Sequence, residues 1–282
     1  MEYQENIIGS KNALVSILIA SYNHEKYIGD CLNSILKDRY TNKEIIIIDD
    51  GSTDNSVREI NNWIRNNETR IKVDFTHRPN KGVTKTLNEL VTRSSGIFIC
   101  FVGSDDMLTE DSIQVRLDVL SANPNKMAVI GDAKVINPEG DIILNSAIEF
   151  WKGHKEDFMS DEKLRYMVVS KWSVPGPVLM VNRRIYDIIG LYPEDLTVED
   201  LDFFLRAIGR DLVMFLDHIV AYYRILETSL CRNNIYSRDK IKSIIKSYWR
   251  NIHLFKLRYK IRILRNILLG LRDLLSICKN VQ

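Results

Sequence analysis

The sequence has no stretch of about 18 uninterrupted apolar residues, so no membrane-spanning helix is predicted. Its first residues, MEYQENIIGSKNALVS, lack a basic start followed by an apolar run and do not read as a secretory signal. Cysteine is scarce. Cys31, Cys100, Cys231 and Cys278 are widely spaced with no Cys-x-x-Cys pair, which argues for neither a disulfide framework nor a zinc site and fits a reducing cytoplasm. Internal repeats and low-complexity linkers are absent as well. The 282 residues therefore suit one large domain, or a domain with an appendage. What is present is an ordinary globular composition, 45% hydrophobic and 27% charged. The net charge of +2 conceals an asymmetry: residues 232–282 hold 13 of the 39 Lys and Arg but only two of the 37 acidic residues. A mildly acidic body with a strongly basic tail points to an anionic partner for the tail.

The first 120 residues alternate between two periodicities. VSILIA (15–20) is a short branched apolar run and reads as a buried strand. EKYIGDCLNSILKD (25–38) places Tyr27, Ile28, Cys31, Leu32, Ile35 and Leu36 on one helix face. EIIIID (44–49) is a second strand, after which Asp54 can cap a helix with Val57, Ile60 and Ile64 inward. IKVDF (71–75) is a third strand. GVTKTLNELVTRSSG (82–96) is a helix expected to stop at Gly96, and IFICFV (97–102) is a fourth strand. Short links between alternating strands and helices predict right-handed βαβ units, an α/β fold and a mostly parallel sheet.

Two of these strands end in paired carboxylates, Asp49-Asp50 and Asp105-Asp106. In such sheets ligands bind at the carboxyl ends of the strands. Four carboxylates on one edge repel each other unless a cation or a hydrogen-bond donor compensates. Oxygen-only ligand sets select hard ions such as Mg²⁺ or Mn²⁺, which keep waters and bridge to phosphates. A carboxylate also accepts hydrogen bonds from a base edge or a ribose. The pattern points to a metal–nucleotide site; aspartates at strand ends also serve as turn and capping residues.

The stretch VSILIASYNHEKYIGDCLNSILKDRYTNKEIIIIDDGSTDNS (15–56) resembles the start of a family-2 glycosyltransferase of the GT-A fold. Further matches follow in order: Asn80-Lys81-Gly82 with Asn88, FVGSDDML (101–108), and GLYPEDLTVEDLDFFLRA (190–207). The resemblance covers roughly residues 14 to 225. It implies a catalytic domain over 1–230, with a nucleotide-sugar half at about 14–108 and an acceptor half at about 109–230. It also implies roles. Ala20, Tyr22 and Asp50 would line the base pocket of a nucleoside-diphosphate sugar, UDP-type, with Asp49 supporting the turn. Asp105 would contact the ribose, and Asp105 and Asp106 would hold Mg²⁺ or Mn²⁺. Lys85 would contact phosphate or remain a solvated helix residue. Asp200 matches the base of a single-displacement, inverting transfer, with Glu199 and Asp202 as neighbouring candidates.

Two positions depart from the family pattern. The metal motif is often Asp-x-Asp-Asp, and here its first position is Gly103. A Tyr-Arg-x-His segment often follows the base, and here it reads Tyr223-Arg224-Ile225-Leu226. Both changes weaken the case for metal dependence. They leave open an alternative, a non-catalytic nucleotide-sugar-binding module. A third class, a sugar nucleotidyltransferase, would need a Gly-rich basic loop after the first strand, and ASYNHEKY is not one. On the acceptor side, Trp151, His154 and Trp172 are candidates to stack on a sugar, although aromatics are more often core.

From residue 241 on, apolar residues fall at three- and four-residue steps and the intervening positions are largely Lys and Arg. Residues 231–282 thus read as a basic tail of one or two amphipathic helices, suited to anionic lipids at a membrane surface. No nucleic-acid reading motif accompanies the charge. The expectation is a cytoplasmic enzyme, peripheral to the inner face of a membrane, acting on a glycan or lipid-linked glycan in surface-polysaccharide synthesis.

Overall fold

The computed structural model describes residues 12–172, 174–226 and 237–279. The stretch read for a signal, up to residue 11, and Cys231 lie outside the described residues. Cys31 and Cys100 are buried free thiols.

The alternation forms as the sequence pattern predicts. β1 (Val15–Ser21), α1 (Ile28–Lys37), β2 (Lys43–Asp49), α2 (Ser56–Asn67), β3 (Lys72–His77), α3 (Val83–Arg93) and β4 (Phe98–Gly103) follow one another along the chain. β2 lies between β1 and β3, and its run from Ile45 to Ile48 is almost wholly buried. A strand covered on both faces has no need of polar alternation, which is why it reads as four consecutive isoleucines. Each such side chain contributes roughly 1.5–3 kcal/mol on burial. One boundary differs from expectation. α3 ends at Arg93, with Ser94 extended and its N–H bonded to the carbonyls of Leu90 and Val91. Gly96 serves a different purpose: its N–H donates to Ser16 Oγ, and a Cβ there would lie 2.6 Å from Ser16 N.

The remaining elements are β5 (Met107–Leu108), α4 (Ser112–Ala122), β6 (Ala128–Ile136), β7 (Ile142–Leu144), α5 (Ala147–Phe150), α6 (Asp161–Val168), β8 (Leu179–Asn182), α7 (Ile185–Ile189), α8 (Glu199–Ile208), β9 (Val213–Arg224), α9 (Arg238–Asn251) and α10 (Leu257–Lys279). Strand order is β3-β2-β1-β4-β8-β6-β9-β5, with β7 beside β6. The half from β3 to β4 is parallel, and β8 opens an antiparallel and mixed half. The register aligns Ala20 with Ile48 on one side and Gly103 on the other. The carboxyl ends of β2, β1 and β4 therefore form one edge.

The basic tail is a helix pair. Tyr248, Phe255, Tyr259, Ile263 and Ile267 are buried within the main hydrophobic cluster. No described helix is long and apolar enough to cross a membrane.

Candidate active site

The loops after β1 and β2 are sewn together. Asn23, at φ 54°, accepts from Thr53 N–H at 2.8 Å, and its own N–H donates to Ser52 Oγ at 2.8 Å. His24 N–H reaches Ser56 Oγ, and Asp54 accepts from the N–H groups of Glu25 and Ser56. These bonds explain why a run of small polar residues follows the buried strand. The two aspartates at its end divide the work. Asp49 is fully buried and accepts from Ser52 N–H (2.9 Å), Ser52 Oγ (2.6 Å), Ser21 Oγ (3.1 Å) and His77 Nδ1 (2.9 Å), so it holds the turn. Asp50 points along the edge toward the start of α3. Its Oδ1 takes Lys81 N–H at 2.8 Å and the Arg78 guanidinium, and its Oδ2 takes Gly82 N–H at 2.9 Å. A carboxylate has about four acceptor sites, so Oδ2 keeps one. Gly51 makes this approach possible: at φ +84° its Cβ would lie 2.7 Å from Asn80 N.

At the end of β4, Asp106 is buried and accepts Arg224 N–H at 2.9 Å, while Asp105 is partly open. Burial, and then the Asp105 charge, push Asp106 well above the usual carboxylate range, against the pull of Arg224. The opposite edge of the sheet shows the contrast. There burial also opposes the charge of Glu44, but Lys72, Ser95 and Ser16 outweigh it and hold Glu44 down to about 2. Arg224 is itself buried. It donates to the carbonyls of Asp105 (2.8 Å) and Pro138 (2.8 Å) and lies over the Tyr27 ring at 4.9 Å. It thereby fixes the 105–106 backbone. His24 Nδ1 lies 2.7 Å from Ser104 Oγ.

A Cβ at Gly103 would lie 2.4 Å from Asp106 Oδ2 and 3.0 Å from Asp105 Oδ1. Both oxygens thus border one small space, and the missing family aspartate has no room in this arrangement. Among the described residues no group of three or more His, Cys, Asp or Glu side chains is placed to hold a metal. A divalent ion in a nucleotide site needs only one or two carboxylates, because water and phosphate oxygens complete its shell. Two oxygens facing one space, that of Asp106 with its proton affinity raised by burial and by the Asp105 charge, fit that requirement.

α3 joins this edge to the segment before α8. The N–H groups of Lys81 and Gly82 just before it bind Asp50, Thr84 Oγ1 donates to Leu196 O at 3.1 Å, and Asn88 exchanges two bonds with the Tyr192 backbone. Lys85, exposed on its first turn, faces Glu194 at 4.0 Å. The three acids opening α8 are unequal. Asp202 is buried between Arg206 (2.7 Å) and Asn251 (2.8 Å) and is structural. Asp200 reaches solvent, accepts Leu201 N–H at 2.7 Å and feels Lys240 of α9. Surrounding protein raises it nonetheless. Glu199 is pushed up to about 8 by burial and then by the Asp200 charge. Asp200, the more exposed of the two and near Lys240, is the better placed to carry the pair's negative charge.

α9 supplies much of the support for this segment. Ser243 Oγ accepts from the N–H groups of Thr197 (3.0 Å) and Val198 (3.1 Å), and Lys246 and Arg250 both bind Asp195.

The model of glycosyl transferase family 2 matches residues 16–183. The chain belongs to that family. Curated relatives include a chondroitin synthase from Escherichia coli, 34% identical over 151 residues, which are 54% of this chain and 21% of the relative. A poly-beta-1,6-N-acetyl-D-glucosamine synthase of Staphylococcus epidermidis is 32% identical over 123 residues, 44% of this chain and 29% of the relative. The matched stretches thus span less than half of these relatives' length. Among solved structures, residues 1–349 of S. aureus TarS in complex with UDP-GlcNAc superpose with a TM-score of 0.66 at 18% identity, over 93% of this chain and 72% of that one. The mannosyltransferase PcManGT from Pyrobaculum calidifontis, in complex with GDP-Man and Mn2+, gives 0.64 at 15%, over 94% and 73%. These likenesses establish the glycosyltransferase fold.

Within this family-2 fold, the strand register brings Ala20, Asp50, Asp105 and Asp106 to one edge. Tyr22 is exposed just beyond it. Asp200 and Glu199 lie on a separate segment that α3 connects. Arg78, Arg224, His24 and Ser243 were not singled out from sequence as site residues. Arg224 lies in the noted Tyr223-Arg224 stretch and Arg78 two residues before Asn80, but nothing local marks which aspartates they bind, and nothing local marks Ser243. Trp172 packs on Phe204, with centroids 4.4 Å apart, and on Phe158, so it belongs to the core and not to an exposed stacking platform.

Proposed function

We propose that the protein transfers a glycosyl group, with inversion, from a UDP-type nucleoside-diphosphate sugar to a hydroxyl of a glycan or lipid-linked glycan in surface-polysaccharide synthesis. The observation that carries this reading is the edge formed by Asp50, Asp105 and Asp106, joined through α3 to Asp200. The free acceptor site on Asp50 Oδ2 suits an N–H of a pyrimidine, with Ala20 and Tyr22 beside the ring and Lys85 toward the phosphates. Asp105 and Asp106 would hold Mg²⁺ or Mn²⁺, which as a Lewis acid offsets charge on the departing diphosphate. Asp200 takes the proton of the acceptor hydroxyl. The new C–O bond forms at the anomeric carbon as the bond to diphosphate breaks, and the electron pair leaves with the diphosphate. Its exposure and the neighbouring Lys240 favour Asp200 over Glu199 as the base.

The basic tail supports a peripheral position on the cytoplasmic face of a membrane. Leu257, Ile261, Leu264, Leu268, Leu271 and Leu275 of α10, and Trp249 of α9, are all exposed. The shortened metal motif favours a second reading, a nucleotide-sugar-binding module without turnover. Thermal-shift binding of nucleoside diphosphates and their sugars, with Mn²⁺ and with chelator, tests the donor site. A shift that needs metal and disappears in Asp50→Ala is expected. Release of nucleoside diphosphate that disappears in Asp200→Asn excludes the binding-only reading. Absence of any nucleotide shift would overturn the donor assignment.

A further inference from the structure

α10 presents more than an apolar stripe. The exposed positions from Leu257 to Leu275 repeat at steps of four and three, the spacing of a coiled-coil seam. Charge decides against a second copy of the helix. Arg258, Arg265 and Arg272 flank the stripe at heptad spacing, and the helix contains one acid, Asp273, so paired copies would set like charges against each other. The surface calls for an anionic and apolar occupant.

Beside the stripe, α6 and α10 enclose a groove of about 620 Å³. Lys163, Tyr166, Arg258, Ile261, Arg262 and Arg265 line it, with Asp157 and Glu162 as the acids. Glu162 is taken by Arg258 at 2.8 Å. Arg262 lies over the Tyr166 ring at 4.6 Å, and its Nε is buried without a hydrogen-bond partner among the described residues. Its stacking on Tyr166 holds the guanidinium at the groove wall. Arginine is also the side chain best shaped to bind phosphate oxygens. Ile261 belongs both to the groove and to the exposed stripe, so one amphiphile can meet the two together.

We propose that the groove between α6 and α10 binds the phosphate headgroup of an anionic membrane lipid, through Arg262 and Arg265, while its acyl chains lie along the α10 stripe. This rests on the reading of the protein as peripheral to a membrane. The site goes further than diffuse attraction, because it assigns the headgroup to particular side chains.

The test compares two double variants of the full chain that each remove two positive charges at α10. Arg262→Gln with Arg265→Gln empties the groove; Lys256→Gln with Arg272→Gln leaves it intact. Co-sedimentation uses vesicles of phosphatidylcholine with roughly one-fifth phosphatidylglycerol, and vesicles of phosphatidylcholine alone. Diffuse attraction weakens binding about fivefold per charge in either variant. The groove variant is expected to lose at least a further tenfold, and the difference between the variants to vanish on phosphatidylcholine alone. Equal losses would overturn the groove and leave the membrane reading standing. Failure of the unaltered chain to bind the anionic vesicles would overturn the membrane reading itself. Millimolar inorganic phosphate separates the sources: a thermal shift by phosphate with equal vesicle losses would make the groove a site for free phosphate, against the proposal.

Discussion

The proposed donor edge and the proposed base segment are held in different ways. The donor edge is assembled largely from neighbours along the first 106 residues, where Asp49, Asp54 and Asn23 close the turns and backbone N–H groups orient Asp50. Its main distant tie is Arg224, which fixes the Asp105-Asp106 backbone. The base segment depends on distant partners throughout. α3 holds it from one side, and α9, more than 40 residues downstream, holds it from the other. The tail is therefore also a structural support of that segment. A chain cut before α9 would lose Ser243 beneath Thr197 and Val198 and the apolar contacts of Tyr248, Phe255 and Tyr259. A truncation cannot separate membrane attachment from catalysis, whereas surface substitutions on α10 can.

Substitutions that affect one region and spare the other sharpen this comparison. Asp200→Asn is expected to lower turnover by roughly 10²–10⁴-fold, the worth of a general base, with donor affinity in titration unchanged within about twofold. Retained turnover would show that the base lies elsewhere. Asp50→Ala should act in reverse order, weakening nucleotide binding by about 10–100-fold, since a hydrogen bond to a charged group is worth ~1.5–3 kcal/mol. It also deprives buried Arg78 of a partner, although Glu89 and Thr86 remain, so the melting temperature should fall moderately.

Ser243→Ala leaves two backbone N–H groups without their acceptor, a local cost of ~1–3 kcal/mol for each unsatisfied group. Turnover is expected to fall about tenfold with donor affinity unchanged, because the loss falls on the base segment. Ser243→Thr, which keeps the hydroxyl, should restore most of it. If Ser243→Ala instead weakens the donor and leaves turnover per bound donor intact, the two regions are not separable.

The smallest effect is on pH. Glu199 keeps its proton up to about 8 in the folded protein, whereas the unfolded chain releases it near 4.5. Between these values the folded state binds more protons, so this group's contribution to stability declines as pH rises from 4.5 to 8. Melting temperature measured across that window should fall less steeply in Glu199→Gln. An unchanged slope would show that the Glu199 proton is not held.

The parallel half of the sheet was legible because its determinants are local. Branched apolar runs and one-sided helix spacing give the alternation, and Asp50 is identifiable because it directly follows a buried strand. Where local reading failed, a distant neighbour decided the outcome. Gly96 looks like a helix stop, yet it is required by the approach of Ser16. For Trp172 the sequence left a sugar platform open beside the commoner core role, and packing on Phe204 and Phe158 decides for the core.

The tail marks the limit most clearly. By composition α9 and α10 are both basic amphipathic helices, and the sequence by itself determines that much, along with the strand–helix alternation of the parallel half and the carboxylates at its edge. Only the tertiary structure decides that α9 turns polar residues toward Thr197, Asp195 and Asp202 while α10 leaves its leucines outside. Amphipathic periodicity reports that a helix has two faces. Which surface covers a face depends on contacts between residues far apart in the chain, and no window of sequence contains them.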